Sequence, residues 1–581
     1  MKNLSLLFGI VVVLWCGPLR AATYYIDPSC GSSGDGTTTN CSDTAHGPFK
    51  DWASVTWASG NTYSQNGGTT YQGTITVGTS NVILNTYGTG YATIDGGVAI
   101  APNSWSGPDA NGVYSQPKFN SPVLEDGIYL HNSLVTAPTN PPSGQYSEYW
   151  GNATEYYHPS SGTPANHTVE KVANAGIELG LNSNVTIQGF SFTKVLYGIH
   201  SIPATNGAIS NINIRNNMFS NIEFGIWLAH KNADMSNITI ENNSFDLCFD
   251  GVEIYDAPGS TSGNNLNIRI DNNTFTHSST VNSPGNAYDW DYVDMNGWDK
   301  EAIGIQDMSN SNIYKNRIWG HARGIEVYVA PGQVNNNNNY YQNYIVTSRA
   351  PICFQPNSAA SSFGANHIYY NILIQVKGDT LGGMDDLNSP GSGSDADEGY
   401  GVSVGNVASP TTIYNTIYNN VIYGTLAECL SVVGQYYDVE NNIMFAAPNA
   451  YAMAPSTNIK FDYNLYYGAQ WGDSFFLNGS EIGKPAWQAA GYDVHGIFDT
   501  DPKFSNGSNN IPATSPWVLV YPSPLNMLPT DFTVLPGSPA TGKGVDVGLT
   551  NDFVGNVVKN PPSIGAYEIG LAPVTGVKLM N

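Results

Sequence analysis

The stretch Asn211-Ile212-Asn213-Ile214-Arg215-Asn216-Asn217, followed by Phe219, decides the fold. Its isoleucines alternate with polar residues, which is the period of a half-buried β-strand. The same phrase recurs along the chain and closes each time on an asparagine. These asparagines are Asn217, Asn243, Asn273, Asn316, Asn343, Asn371, Asn420, Asn442 and Asn464. A repeat of about 20–50 residues indicates a stacked-repeat architecture.

The repeating unit consists of strands and turns. In the first three phrases the isoleucines precede a phenylalanine at a fixed distance, as Ile240 precedes Phe245. Asparagines placed at random would not keep phase with this pattern. Short strands, a tight Asn turn and a coil that closes every ~25 residues predict an all-β, right-handed parallel β-helix. One buried Asn per coil can donate and accept hydrogen bonds along the stack and so satisfy the backbone of the turn.

The chain length and composition suit one long solenoid. The 581 residues are 41% hydrophobic and 12% charged, which is enough for a sizeable core. We predict a signal peptide over residues 1–21, an N-terminal cap with the first coils over 22–125, a central β-helix over 126–470 and C-terminal coils with a cap over 471–581. The basic start, the short apolar run and the small residues Ala21 and Ala22 are typical of an export signal. We therefore expect a protein that is secreted or periplasmic.

The net charge and the cysteines limit which binding partners and which cellular compartment we expect. A net charge of −25 repels nucleic acids and anionic membranes, so we expect neither as a partner. We expect a monomer that binds a polysaccharide. Cys30 and Cys41 bracket a polar loop, and export makes a disulfide between them plausible. For Cys248, Cys353 and Cys429 we favour packing roles.

A second strand of each coil predicts a binding face. It begins with Gly-Ile or Gly-Val, as in Gly225-Ile226-Trp227. Side chains alternate across a strand, so the Ile or Val points into the core and the next residue points outward. The outward residues so predicted are His200, Trp227, Glu253, Gly304, Glu326, Cys353 and Ser403, then Tyr255, Gln306, Tyr328 and Gln355, and before each glycine Phe224, Asp250, Glu301, Arg323 and Tyr400. This mixture of carboxylates, aromatic rings and an arginine indicates a binding face.

Two long insertions, 276–300 and 377–398, precede this strand type in their coils, so both should stand on one side of the face. Long loops on a rigid scaffold are where function concentrates, although a tolerated surface insertion is the alternative. Aromatic rings stack on sugars, while acids bind hydroxyls or metal ions. The substrate-binding candidates are His200, Trp227, Tyr255, Trp290, Trp298 and Gln306.

The leading chemical interpretation is a lyase that acts on a uronate-containing glycan. β-Elimination requires that the substrate carboxylate be neutralised and that a base remove the C5 proton. Asp250, Glu253 and Glu301 are the candidates for holding Ca²⁺. Arg323 would bind the substrate carboxylate, and Lys300 or Tyr328 would act as the base. The alternative for Arg323 is a simple ion pair with Glu301 one coil away.

Two other functions stay open. Glu253 and Glu326 are predicted to lie two coils apart across Gly304, roughly 9–10 Å at the backbone. Tilted side chains would bring their carboxyls within the ~6.5–9.5 Å of an inverting glycoside hydrolase. The third possibility is a non-catalytic solenoid that binds glycans.

Several motifs resemble known families. The start at Ala22-Thr23-Tyr24-Tyr25-Ile26-Asp27-Pro28-Ser29 and the tail at Ile564-Gly565-Ala566-Tyr567-Glu568 resemble secreted right-handed β-helix proteins of the pectate-lyase-like superfamily. The segment 242–254 is similar to the coil of alginate-lyase and chondroitinase B-type enzymes that supplies Ca²⁺-binding glutamates. By this resemblance Glu253 would be a Ca²⁺ ligand. The match departs at Gly251, where that family has its first glutamate.

Overall fold

The computed structural model describes residues 21–118, 121–132, 139–147, 153–276, 301–321, 323–347, 350–357, 362–375, 400–405, 412–423, 428–445, 450–455, 457–468, 474–506 and 528–569. Successive coils stack as predicted. Ile212 lies beside Ile238 in parallel register, and Ile240 lies beside Ile270 in the next coil. The prediction of a right-handed parallel β-helix is confirmed.

One wall of the β-helix is a 17-stranded sheet. It is built from the strand that contains the alternating isoleucines of each coil. Its strands in chain order are Thr23–Ile26, Thr62–Asn66, Val82–Tyr87, Val185–Gln188, Ser210–Arg215, Met235–Glu241, Asn265–Leu266, Arg269–Asp271, Met308–Ser309, Asn312–Tyr314, Val334–Asn336, Asn339–Tyr341, Ser362–Gly364, His367–Tyr369, Asn415–Tyr418, Tyr437–Glu440 and Ile459–Asp462.

The strands after the Asn turn build the remaining walls. Two of them, Met218–His230 and Ser244–Asp256, run without a break through both the Phe segment and the Gly-Ile segment of their coils. The other strands are Thr70–Gln72, Ile75–Thr76, Ala92–Asp95, Gly97–Ala99, Val123–Glu125, Ile128–Tyr129, Val169–Glu178, Phe190–Thr193, Val195–Ser201, Thr274–Thr276, Glu301–Gln306, Arg317–Trp319, Arg323–Val329, Tyr344–Thr347, Ala350–Pro356, Ile372–Gln375, Val402–Val404, Val421–Tyr423, Glu428–Val432, Ile443–Phe445, Ala450–Ala454, Leu465–Tyr467, Ser474–Leu477, Ser480–Gly483 and Ile497–Phe498.

Helices contribute little to the described residues. The α-helix is Lys484–Ala489, and the 3₁₀ turns are Trp52–Ser54, Pro102–Ser104, Pro164–Asn166 and Pro529–Phe532. In the described part of the chain no helix has the length and apolar character needed to cross a membrane.

The interior of the β-helix is a single apolar column. Ile and Val side chains from every wall meet in it, and most of them are fully buried. The predicted Phe positions form a stack of parallel rings. The centroids of Phe192 and Phe219 are 4.9 Å apart, and those of Phe245 and Phe275 are 4.5 Å apart. This stack holds the coils in register, because each ring packs on its equivalent in the next coil.

The nine predicted asparagines form one continuous ladder, which we call the asparagine ladder. In a typical step, Asn316 donates from its backbone N–H (3.0 Å) and from Nδ2 (3.1 Å) to Oδ1 of Asn343. Its Nδ2 also donates to the Ile270 carbonyl of the previous coil, 2.9 Å away. Each buried turn therefore has its polar groups satisfied by the neighbouring coils, as predicted.

The N-terminal region confirms the expected disulfide, which joins Cys30 to Cys41. Cys248, Cys353 and Cys429 are buried thiols and not part of the disulfide, in agreement with packing roles. Residues 1–20 of the predicted signal peptide lie outside the described residues, so export stays a prediction.

One element was missing from the predicted organisation. A separate four-stranded sheet is formed by Tyr114–Pro117, His131–Asn132, Gln145–Ser147 and Thr154–His158. It interrupts the early coils and spans the predicted boundary between residues 125 and 126. Its strands lack the Asn and Phe signals of the repeat, and so the repeat pattern could not reveal them.

Candidate functional site

The outward face begins at a glycine corner. A Cβ on Gly225 would lie 2.5 Å from the Gly251 carbonyl oxygen and 2.6 Å from the ring of Phe245. The backbone must therefore pack directly on the Phe stack at this point, which only glycine permits. Beyond the corner Ile226 enters the core and Trp227 faces outward. This is the physical reason for the recurring Gly-Ile pair.

The predicted outward column is present in the predicted order, and we call it the site column. Each of its members pairs with the next in parallel register. It runs through His200, Trp227, Glu253, Gly304, Glu326, Cys353 and Ser403. Gln306, Tyr328 and Gln355 form the neighbouring column two residues further along. The sequence prediction of the register is confirmed.

Three carboxylates of this face form an acid cluster, which consists of Asp250, Glu253 and Glu301. One oxygen from each lies within 4.8 Å of the others, and all three residues are buried. The Glu301 backbone N–H donates to Asp250 Oδ1 at 2.9 Å. The Glu253 carboxylate leans over the next coil, because a Cβ on Gly304 would lie 2.5 Å from Glu253 Oε1. Gly304 therefore gives Glu253 the space to reach the cluster.

Arg323 adjoins the acid cluster. Its Nη1 donates to Glu301 Oε1 at 3.1 Å and to Glu326 Oε2 at 3.0 Å. The ion pair between Glu301 and Arg323, which was the alternative for this arginine, is thus present. Arg323 thus joins Glu301 of the acid cluster to Glu326 of the site column.

The donor set of the acid cluster fits a hard divalent cation. Carboxylate oxygens are the ligands that Ca²⁺ prefers, and Ca²⁺ tolerates irregular geometry. The three oxygens are close enough to one another to share one ion. Asp250, Glu253 and Glu301 are the residues that would hold it, as the sequence predicted for Ca²⁺. Binding itself stays a prediction.

On the N-terminal side of the acid cluster lies an aromatic cluster of Tyr197, Phe224 and Trp227. The ring of Phe224 is 4.5 Å from that of Trp227 and 5.2 Å from that of Tyr197. Trp227 is half-buried, so part of its surface remains accessible. Aromatic rings next to carboxylates suit a ligand that has both apolar ring faces and polar groups, such as a sugar.

A carboxylate that the sequence reading missed completes this end of the face. Glu178 precedes His200 in the site column, and its Oε2 lies 2.5 Å from Nδ1 of His200. The Gly180 backbone N–H donates to Glu178 Oε1 at 3.1 Å and fixes the carboxylate from its other side. The signal was present in the sequence, because Gly176-Ile177-Glu178 repeats the Gly-Ile pattern one coil earlier.

The other predicted binding residues lie along the neighbouring column. Gln306 is buried, and its Oε1 accepts from the backbone N–H of Asp256 at 3.2 Å. Tyr255 and Tyr328 are half-buried. Gln306 is therefore held in place by the preceding coil, and the two tyrosines are more accessible.

A second acid on this face was also missed. Ser431 pairs with Ser403 and so continues the site column by one coil. Glu428 lies three residues before Ser431, which is the position that Arg323 has relative to Glu326. Burial raises the pKa of its carboxyl to about 7. Glu428-Cys429-Leu430 lacks the glycine of the pattern, which is why the sequence reading did not find it.

Lys300, Trp290 and Trp298 of the first insertion lie outside the described residues, as does the whole of the second insertion, 377–398. Their roles stay predictions. The strands from which the insertions start, Thr274–Thr276 and Ile372–Gln375, belong to one run of consecutive parallel pairings. The insertions therefore start at equivalent positions of their coils.

No protein-family model matches the sequence, and no curated protein matches it. Three similar solved structures are XylC in complex with xylose (12% identity, TM-score 0.46, 83% of this chain and 87% of that chain), the pectate lyase Pel9A (13%, 0.32, 94% and 96%) and the A-module of the Azotobacter vinelandii mannuronan C-5 epimerase AlgE4 (10%, 0.34, 76% and 89%). The right-handed parallel β-helix itself is shown by the stacking of the coils in this chain. At these identities the similarities say nothing about the residues of the site.

Proposed function

We propose that this protein is a carbohydrate-active enzyme that cleaves a uronate-containing polysaccharide by β-elimination, with Ca²⁺ held by the acid cluster. The observation that carries the proposal is the placement of the acid cluster, Arg323 and the aromatic cluster side by side on one outward face. A uronate glycan is the ligand class that uses all three, because it combines flat ring faces with a carboxylate on each sugar.

Substrate binding would begin at the aromatic cluster. The accessible part of Trp227 would stack on a sugar ring. His200 in the preceding coil and Tyr255 in the following coil would hydrogen-bond to its hydroxyl groups. A sugar placed there has the acid cluster one coil further along, since Trp227 pairs directly with Glu253.

When bound, Ca²⁺ would neutralise the substrate carboxylate and so make the C5 proton more acidic. The Arg323 guanidinium would add a second positive charge from the coil of Glu326. Its two ion pairs fix its orientation, so little freedom is lost when the substrate arrives. Tyr328 lies on the strand of Arg323, and it and Lys300 remain the bases proposed from the sequence.

A second candidate is an inverting glycoside hydrolase that uses Glu253 and Glu326 as acid and base. The observation in its favour is the register, in which the two glutamates are separated by Gly304 alone. At roughly 4.8 Å per coil their backbones are about 9–10 Å apart. A neutral glycan would also suit the acidic surface of the protein better than a polyanion.

Digestion of a panel of uronate and neutral polysaccharides, with and without a chelator, tests these functions. Elimination forms a C4=C5 double bond, so its products absorb ultraviolet light and are lighter by one water molecule than hydrolysis products. We expect such products from a uronate polymer, and a large loss of rate when the chelator is present. Saturated reducing ends would instead support the hydrolase, and binding without turnover would support a glycan-binding solenoid.

The variant Glu253→Gln separates the metal site from the fold. We expect a loss of kcat/KM of about 10²-fold or more, because a ligand of the cation is removed. Glu241→Gln is the control, since Glu241 pairs with Arg269 on the 17-stranded sheet, away from this face. Equal activity of the two variants would contradict a role for the acid cluster.

A further inference from the structure

The pair formed by Glu178 and His200 has the geometry of a catalytic dyad. The carboxylate accepts from Nδ1 at 2.5 Å and is itself fixed by the Gly180 backbone N–H. The imidazole ring stacks on Tyr197 with a centroid separation of 4.5 Å. Both the position and the tilt of the ring are therefore determined by its surroundings, as in a preorganised site.

This arrangement also assigns the protons of the imidazole. A neutral histidine whose Nδ1–H donates to a carboxylate carries its lone pair on Nε2. Among the residues that the structure describes, none hydrogen-bonds to Nε2 of His200. Nε2 is thus the atom that can accept a proton from a ligand on this face.

His200 is placed correctly along the face to act on a sugar bound at Trp227. It pairs with Trp227, which in turn pairs with Glu253, so the backbones of His200 and Glu253 are roughly 9–10 Å apart. A uronate ring stacked on Trp227 would lie between the two. Its carboxylate could then reach the acid cluster while an edge of the ring faces His200.

We propose that His200 is the general base of the elimination and that Glu178 is its positioning residue. This inference rests on the proposed function. Nε2 takes the proton from C5, and the electron pair of the C5–H bond forms the C4=C5 double bond. The C4–O bond breaks with its electrons on the glycosidic oxygen, which receives a proton from the imidazolium. The dyad returns to its starting state, and no oxidant or reductant is required.

Chemical considerations favour this base over the phenol of Tyr328. Imidazole is the side chain best suited to accept a proton near neutral pH, whereas a phenol must first lose its own proton. Tyr328 also lies on the far side of the acid cluster, because its coil is two coils beyond that of Glu253.

The first test compares His200→Gln with the wild type on a uronate polymer that yields unsaturated product. We expect kcat to fall by about 10²–10⁴-fold, the usual contribution of a general base, while KM changes little. In His200→Ala, added imidazole should restore part of the lost rate. His367→Gln is the control, because His367 is hydrogen-bonded to Thr416 on the 17-stranded sheet, away from this face.

The second test uses Glu178→Gln. The carboxylate fixes the imidazole ring through Nδ1, and its loss should lower kcat by about 10–10²-fold while KM and Tm change little. Glu178→Asp, which keeps a carboxylate, should recover part of the lost kcat. A purely structural role would lower Tm instead, and an unchanged kcat in a Glu178→Gln variant with normal Tm would overturn the assignment.

The outcomes for the two proposals can be told apart. If the wild type forms unsaturated product and His200→Gln retains most of its kcat, the dyad is not the base, and the proposed function stands. If the wild type forms only saturated products, elimination itself is excluded, and the inference fails with it. If His200→Ala folds and imidazole does not rescue it, Nε2 is not the acceptor of the proton.

Discussion

The asparagine ladder and the site column are built by the same rule and differ in what they stack. Both place one residue per coil in parallel register along the β-helix. The ladder repeats a single side chain that donates to one neighbour and accepts from the other. The site column combines a histidine, a tryptophan, glutamates and a glycine, and its Glu253 joins Asp250 and Glu301 in the acid cluster. Uniform stacking stabilises the fold, whereas the mixed column places different chemical groups side by side, as a binding face requires.

The largest expected effect on stability comes from breaking the ladder in its middle. Asn343→Ala leaves the Asn316 backbone N–H, Asn316 Nδ2 and the Ile313 carbonyl without their buried partner. We expect a loss of about 3–5 kcal/mol in the free energy of unfolding, since each orphaned group costs about 1–3 kcal/mol. Thermal unfolding measures it. Asn339→Ala is the control, because Asn339 makes a single half-buried contact with Asn312, and it should cost less than about 1 kcal/mol.

Two glycines sharpen the comparison. A Cβ on Gly225 meets a backbone carbonyl at 2.5 Å, so Gly225→Ala should destabilise the fold by about 1–3 kcal/mol. A Cβ on Gly304 meets the Glu253 carboxylate at 2.5 Å, which can rotate away. Gly304→Ala should therefore change Tm little and lower kcat/KM by roughly tenfold or more. The opposite pattern, with Gly304→Ala unstable and fully active, would contradict the roles assigned to these two glycines.

A substitution at the end of the asparagine ladder should have a smaller effect on stability. The ladder stops at Asp493, whose carboxylate accepts from Asn464 Nδ2 at 2.9 Å, from the Tyr466 hydroxyl at 2.6 Å and from Trp487 Nε1 at 2.9 Å. All three of these groups donate, so the ladder ends on a carboxylate, which only accepts, in place of an asparagine side chain. Asp493→Asn would set an amide N–H₂ against the indole N–H and should cost about 1–3 kcal/mol in unfolding experiments at pH 7.5. An unchanged Tm would show that the indole N–H needs no acceptor.

The smallest effect is a pH dependence of stability. Burial raises the pKa of Glu428 to about 7 and that of Asp493 to about 6. A raised pKa in the folded state means that the unfolded chain loses these protons first. The stability contributed by each protonated carboxyl is therefore present at acidic pH and is lost as the pH rises through about 7 for Glu428 and about 6 for Asp493.

The variant Glu428→Gln isolates the contribution of this one carboxyl to the pH dependence of stability. The drop in Tm between pH 5 and pH 8 should be smaller in this variant than in the wild type, because the glutamine cannot ionise. Asp43→Asn is a control at an exposed site, where backbone hydrogen bonds from His46 and Ala45 lower the pKa and the sign of the effect is reversed. An equal drop in wild type and Glu428→Gln would mean that Glu428 ionises freely in the folded protein.

Much of the site could be predicted because the coils stack directly. Once the asparagines set the register, Trp227, Glu253 and Glu326 had to share a column. Glu178 was missed although it carries the same pattern, and Glu428 was missed because its coil has no glycine at the corner. The four-stranded insertion was missed because nothing in it repeats.

The sequence by itself determined the fold, the register and the membership of the site column, since period-two alternation and one asparagine per coil leave a single way to stack the strands. Only the tertiary structure decided how the side chains of the column turn. Glu253 leans over Gly304, Arg323 joins Glu301 to Glu326, and Glu178 holds His200. These orientations depend on how each side chain rotates against its neighbours in other coils. The alternation of residues along one strand carries no information about that rotation.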